Sequence, residues 1–148
     1  MTPTPLNLLL ADDDIDDCFF FQEALEELPI PARLTTVHDG VQLMELLATI
    51  EKPLPDALFL DLNMPLKSGF DCLAEIKMMD TLTDLPVIVY STSLNLEVID
   101  LLYQKGVQYY ICKPGEYDKL QKVIYEAVTL ISQNKSIQPS RDSFILHP

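Results

Sequence analysis

Five short strand-like runs alternate along this chain with five stretches of helical period, and that alternation narrows the fold more than any other feature. The runs are LNLLLA (6–11), RLTTVH (33–38), ALFLD (57–61), PVIVYS (86–91) and VQYYIC (107–112). Most are nearly continuous in apolar residues, as strands buried on both faces are. Helices are predicted over 15–28, 41–50, 69–79, 96–105 and 117–132. In the first, Cys18, Phe21, Leu25 and Leu28 step by three, four and three, and Pro29 and Pro31 stop it. Asp39-Gly40 turns into the second helix, Gly69 opens the third and Gly106 closes the fourth. Strands alternating with helices imply a parallel sheet covered on both faces, joined by right-handed crossovers. With 148 residues, the chain is long enough for one such α/β domain.

Charge and composition exclude several classes of function. Ten basic against 23 acidic residues leave a net charge of −13, which argues against a nucleic-acid or anionic-membrane surface. The same charge suits a cation or a basic partner, although solubility alone would also explain it. No apolar run approaches the length of a membrane span. The start, MTPTPLNLLLADDD, lacks the basic region of a signal peptide. Cys18, Cys72 and Cys112 are far apart and form no CxxC, which fits a reducing cytoplasm better than metal or redox chemistry.

Sites in open α/β sheets lie beyond the carboxyl ends of the strands, and the chemically interesting residues gather there. DDDIDD (12–17) puts five carboxylates in six positions after the first strand. Asp14, Asp16 and Asp17 read as a helix cap and first-turn acids. Asp12 and Asp13 end a buried strand, where repulsion and desolvation disfavour two charges and a hard divalent cation relieves both. Asp61 closes the third strand and is a carboxylate able to accept a phosphoryl group. Ser91 and Thr92 follow the fourth strand and Lys113 the fifth, supplying a hydroxyl and a movable cation for phosphoryl oxygens. Each residue alone reads as a cap, a strand-end hydroxyl or a surface lysine. One at each of four strand ends points to phosphoryl transfer onto a carboxylate.

Asp12-Asp13, Asp61 in LDLNMP, Ser91 after PVIVY and Lys113-Pro114 together resemble the response-regulator receiver domain of two-component signalling, in its single-domain, chemotaxis-regulator-like form. The resemblance spans about residues 6–132. It implies a flavodoxin-like (βα)5 three-layer sandwich with a parallel five-stranded sheet in the order 2-1-3-4-5. It implies a phosphoprotein, not a turnover enzyme, that takes its phosphoryl group from a histidine kinase or phosphotransfer protein in the cytoplasm. Asp61 is then the phosphoacceptor. Asp13, Asp61 and the Asn63 carbonyl become Mg2+ ligands with Asp12 helping through water, Lys113 contacts the phosphoryl group, and Ser91 is the switch hydroxyl. Tyr110 becomes the switch aromatic, and the Lys113–Pro114 bond is expected to be cis. The pattern departs at Thr92, where a small residue is usual, at Gly115, where phenylalanine is common, and at Ser68-Gly69, where Asp-Gly is usual.

The output is less legible. A receiver over 1–134 leaves a tail over 135–148, expected to be loose and too short for a DNA-binding or enzymatic domain. Val98, Leu101 and Leu102 are predicted to face the core from the fourth helix. Leu96, Ile99 and Tyr103 form a second stripe, with five of the six tyrosines between 103 and 125. A phosphorylation-sensitive interface is expected on this fourth-helix, fifth-strand, fifth-helix face, with a protein target or a second copy as partner. Tyr109 and Tyr125 read equally well as core. Two other classes fit less well. A haloacid-dehalogenase-type phosphatase needs a DxD where this chain has Asp61-Leu62-Asn63, and a flavodoxin needs a phosphate cradle where it has aspartates. An unphosphorylated adaptor would not need the complete acid, serine and lysine set.

Overall fold

The computed structural model describes residues 5–133 and 137–148. The alternation holds throughout: β1 (Leu6–Ala11), α1 (Ile15–Glu26), β2 (Ala32–Val37), α2 (Gly40–Thr49), β3 (Ala57–Leu60), α3 (Gly69–Met78), β4 (Val87–Ser91), α4 (Leu96–Gln104), β5 (Tyr109–Cys112) and α5 (Tyr117–Gln133). Four helices begin on side-chain caps. Asp14, Asp39 and Ser68 accept from the N–H groups of Asp17, Gln42 and Asp71, and Asn95 from those of Glu97 and Val98, satisfying donors that have no partner inside a first turn.

All strand pairs are parallel, in the order β2-β1-β3-β4-β5, with one further strand beyond β5. The pleat sends successive residues of β3 to opposite faces. Leu58 and Leu60 join a core with Leu43, Leu73, Ile76 and Leu102, from α2, α3 and α4. Ala57 and Phe59 join a core with Phe21, Leu25, Val123 and Ile124, from α1 and α5. The central strands β3 and β4 are therefore buried on both faces, and the polar residues follow at the carboxyl end of the sheet.

The C-terminal segment is ordered, contrary to the loose tail expected. Residues 145–146 form β6, which pairs in parallel with β5, Ile145 opposite Tyr110 and Leu146 opposite Ile111. The sheet thus has six strands where five were expected. Phe144 is fully buried and packs edge-on against Tyr103 at 5.1 Å between ring centroids. The Tyr103 hydroxyl donates to the Pro139 carbonyl at 2.7 Å, and Gln138 donates to the carbonyls of Tyr103 and Val107. Arg141 pairs with Asp100 on α4 at 2.7 Å. The segment's aromatic anchor and its main-chain bonds on an open sheet edge explain why it docks. The expected boundary between residues 134 and 135 lies outside the described residues.

The buried face of α4 also differs from the one expected. Ile99 is fully buried and belongs to the core with Leu102, whereas Leu101, expected inside, is 44% exposed. The buried stripe is thus rotated from the one expected: Ile99 and Leu102 are three residues apart and share one helix face. Leu96 remains exposed, and Tyr103 is half-buried beneath the C-terminal segment. Tyr109 lies in the core, and Tyr125 lies at the surface.

Candidate functional site

The parallel register brings the carboxyl ends of β1, β3, β4 and β5 together. Ala11 lies opposite Leu60, and Ser91 opposite Cys112, so the residues that follow converge at one end of the sheet. Asp12, Asp13 and Asp61 each offer a carboxylate oxygen, and these atoms all lie within 4.8 Å of one another. Asp12 and Asp61 are buried and Asp13 is exposed. Three hard oxygen donors with one side open to solvent suit a hard divalent cation that keeps some of its waters. The Asn63 N–H donates to Asp61 Oδ1 at 3.2 Å, which ties the following loop to the acid.

Lys113 reaches into the same cluster. Its ammonium donates to Asp12 Oδ2 at 2.7 Å, Asp17 Oδ2 at 2.9 Å and Asp61 Oδ2 at 3.3 Å. It also sits 5.1 Å from the centre of the Tyr90 ring. The β-ladder aims it: the Lys113 N–H donates to the Ser91 carbonyl at 2.8 Å. The Lys113–Pro114 bond is not cis as expected; among the described residues the cis bond is Lys52–Pro53. The lysine enters the site all the same, because the ladder directs its backbone before the proline is reached.

Burial and charge oppose each other here. Burial pushes the Asp12 carboxyl up to about 6, against the pull of Lys113 and of the Asp14 N–H. Desolvation draws the Lys113 ammonium down, yet hydrogen bonds to Asp12 and Asp17 hold it above its ordinary value. The lysine therefore stays charged. Burial raises the Cys18 thiol to about 12, so it is a poor nucleophile.

Ser91 is fully buried, and its hydroxyl accepts from the Ser93 N–H at 3.5 Å. Thr92 is exposed beside it. Tyr110 is fully buried with its hydroxyl donating to the Ser93 carbonyl, so the aromatic ring lies inward. Gly69 closes the site from below. A Cβ there would lie 2.3 Å from the Asp61 carbonyl oxygen, so α3 can start against the acid's backbone only on a glycine.

The model of the response regulator receiver domain matches residues 8–125. The chain belongs to this family. Response regulator Rcp1 of Synechocystis sp. is 33% identical over 124 residues, 81% of this chain and 84% of that protein. The probable methanogenesis regulatory protein FilR2 of Methanothrix harundinacea is 28% identical over 125 residues, 82% of this chain and 81% of its own. Among solved structures, the phosphorylated cyanobacterial phytochrome response regulator RcpA superposes with a TM-score of 0.77 at 33% identity, covering 93% of this chain and all of that one. The Mn2+-bound form of Rcp1 gives a TM-score of 0.76 at 30% identity, covering 92% of this chain and all of that one. This receiver therefore takes part in phosphorelay signalling, in a family that binds Mg2+ or Mn2+ at an acidic cluster.

All the expected acids, Ser91 and Lys113 converge within the receiver. What the sequence reading missed is Asp17. As the third residue of α1 it has the pattern of a first-turn acid, but its carboxylate lies on Lys113. No local pattern signals a bond that spans 96 positions.

Proposed function

We propose that Asp61 accepts a phosphoryl group from a phosphohistidine on a kinase or phosphotransfer protein in the cytoplasm. An Asp61 oxygen attacks phosphorus, the P–N bond to the imidazole breaks, and an acyl phosphate forms. Water later attacks the same phosphorus, releasing inorganic phosphate and restoring the carboxylate. The protein thus catalyses only its own modification and its reversal. The carrying observation is that one ammonium bonds both Asp12 and Asp61 inside a group of three convergent carboxylates.

Asp12, Asp13, Asp61 and the Asn63 carbonyl would hold Mg2+, which supplies charge neutralisation and orients the phosphoryl oxygens. Lys113 donates to a phosphoryl oxygen in place of the Asp61 oxygen it now bonds. Ser91 and Tyr110, linked through Ser93, relay the change toward β5 and α4. Ile15, Phe19 and Phe20 leave an apolar patch on α1 that is 47–61% exposed, beside the cleft of about 310 Å³ lined by Asp17, Tyr90 and Lys113. An apolar patch at the mouth of the site suits a docking donor protein. On the output face, Leu96 and Leu101 are exposed and remain available to a target or a second copy.

Intact mass after incubation with acetyl phosphate, with and without Mg2+, tests this reading. One Mg2+-dependent phosphoryl adduct, absent from Asp61→Ala, is the expected result. No adduct under any condition would overturn it and favour a constitutive adaptor.

A further inference from the structure

Lys113 spends all three of its ammonium N–H groups on carboxylates, and the three acceptors are not equivalent. Asp12 and Asp61 belong to the group able to hold a cation, and Asp17 does not. A cation and an ammonium compete for the oxygens of Asp12 and Asp61. The Asp17 oxygen, 2.9 Å from Nζ, is uncontested. Asp17 is itself held in place, since its N–H donates to the Asp14 cap at 3.1 Å in the first turn of α1. The Lys113 side chain is 9% exposed and lies against the Tyr90 ring, so it has little freedom to find another partner.

We propose that Asp17 is a positioning residue for phosphoryl transfer: it anchors the Lys113 ammonium beside Asp61 when a cation claims Asp12 and Asp61. As the phosphoryl group arrives, the lysine exchanges its Asp61 oxygen for a phosphoryl oxygen and keeps the bond to Asp17. This rests on the acceptor role proposed for Asp61. A surface acid in the first turn of a helix would instead interact with the helix dipole alone, and its removal would leave transfer unchanged.

Two measurements on the full chain test it. The first is the rate of adduct formation from acetyl phosphate with Mg2+, followed by intact mass. Asp17→Ala should slow it about tenfold, the lower end for an outer partner that orients a reacting group. Asp17→Asn, which keeps an acceptor oxygen for the ammonium, should recover most of the rate. An Asn variant as slow as the Ala variant would assign the effect to charge and overturn the anchoring role. The second is urea unfolding of the metal-free protein with Asp17→Ala, Lys113→Ala and both. A coupling of about fivefold in the unfolding constant is expected, and additive effects would overturn the proposal. Unaltered transfer in Asp17→Ala refutes the role of Asp17 alone. No adduct on the unsubstituted protein refutes the Asp61 reading and the transfer role together.

Discussion

Replacing Phe144 by alanine tests whether the C-terminal segment is part of the folded domain. The side chain is fully buried between Tyr103 and the β5 edge, with a guanidinium carbon of Arg141 5.9 Å from its ring centre. Phe→Ala in a core costs about 3–5 kcal/mol, combining lost transfer energy and the cavity left behind. This segment can peel from the edge instead of leaving a void, so its own docking energy caps the loss. The lower end, about 3 kcal/mol, is therefore expected. For a chain of this size that lowers the melting temperature by about 6–12 °C. Urea unfolding followed by far-ultraviolet circular dichroism measures it, and a chain truncated after Gln133 should lose at least as much. A loss below about 1 kcal/mol in Phe144→Ala, or a truncated chain as stable as the full one, would refute the reasoning.

Gly69→Ala should impair both stability and phosphoryl acceptance, because the new Cβ would meet the Asp61 carbonyl at 2.3 Å. A variant matching the original protein in melting temperature and adduct yield would contradict this. The raised Asp12 carboxyl has a direction in pH: the folded state binds its proton more tightly than the unfolded chain does. Its stabilising contribution is complete below about pH 4 and is lost as pH rises through about 6. The metal-free protein should therefore gain from Asp12→Asn relative to the original as pH climbs from 4 to 7, by at most about 3 kcal/mol. A stability difference that stays flat across that range would refute it. Thr92→Ala should shorten the lifetime of the phosphoryl group by opening a path for water, read as the decay of the adduct mass. An unchanged decay rate removes Thr92 from the hydrolysis step. Gly106 sits at φ +88°, so Gly106→Ala should destabilise by about 1–2 kcal/mol in urea.

Much of the fold is legible because local forces write it. Continuous apolar runs mark the buried strands, Asp14 caps α1 as expected, and Pro29 and Gly106 stop helices. The site is legible because a parallel α/β sheet sends every strand's carboxyl end the same way, so a residue's place after its strand is already a place in space. The α4 face was harder. Its residues are apolar on two sides, and period alone cannot say that Ile99 packs inward while Leu101 faces out.

Residue order alone determined the α/β architecture and the gathering of Asp12, Asp13, Asp61, Ser91 and Lys113 at one end of the sheet. Tertiary structure decided three things. It laid the C-terminal segment on β5, placed Asp17 on Lys113, and put the lysine in the site with a trans bond to Pro114. The first two depend on contacts between residues tens of positions apart, where the free energy comes from closing a long loop onto one particular edge or charge. The third depends on the direction a neighbouring strand imposes on the backbone. A one-dimensional pattern carries periodicity and capping, but not which distant surface has an open edge or a buried ammonium.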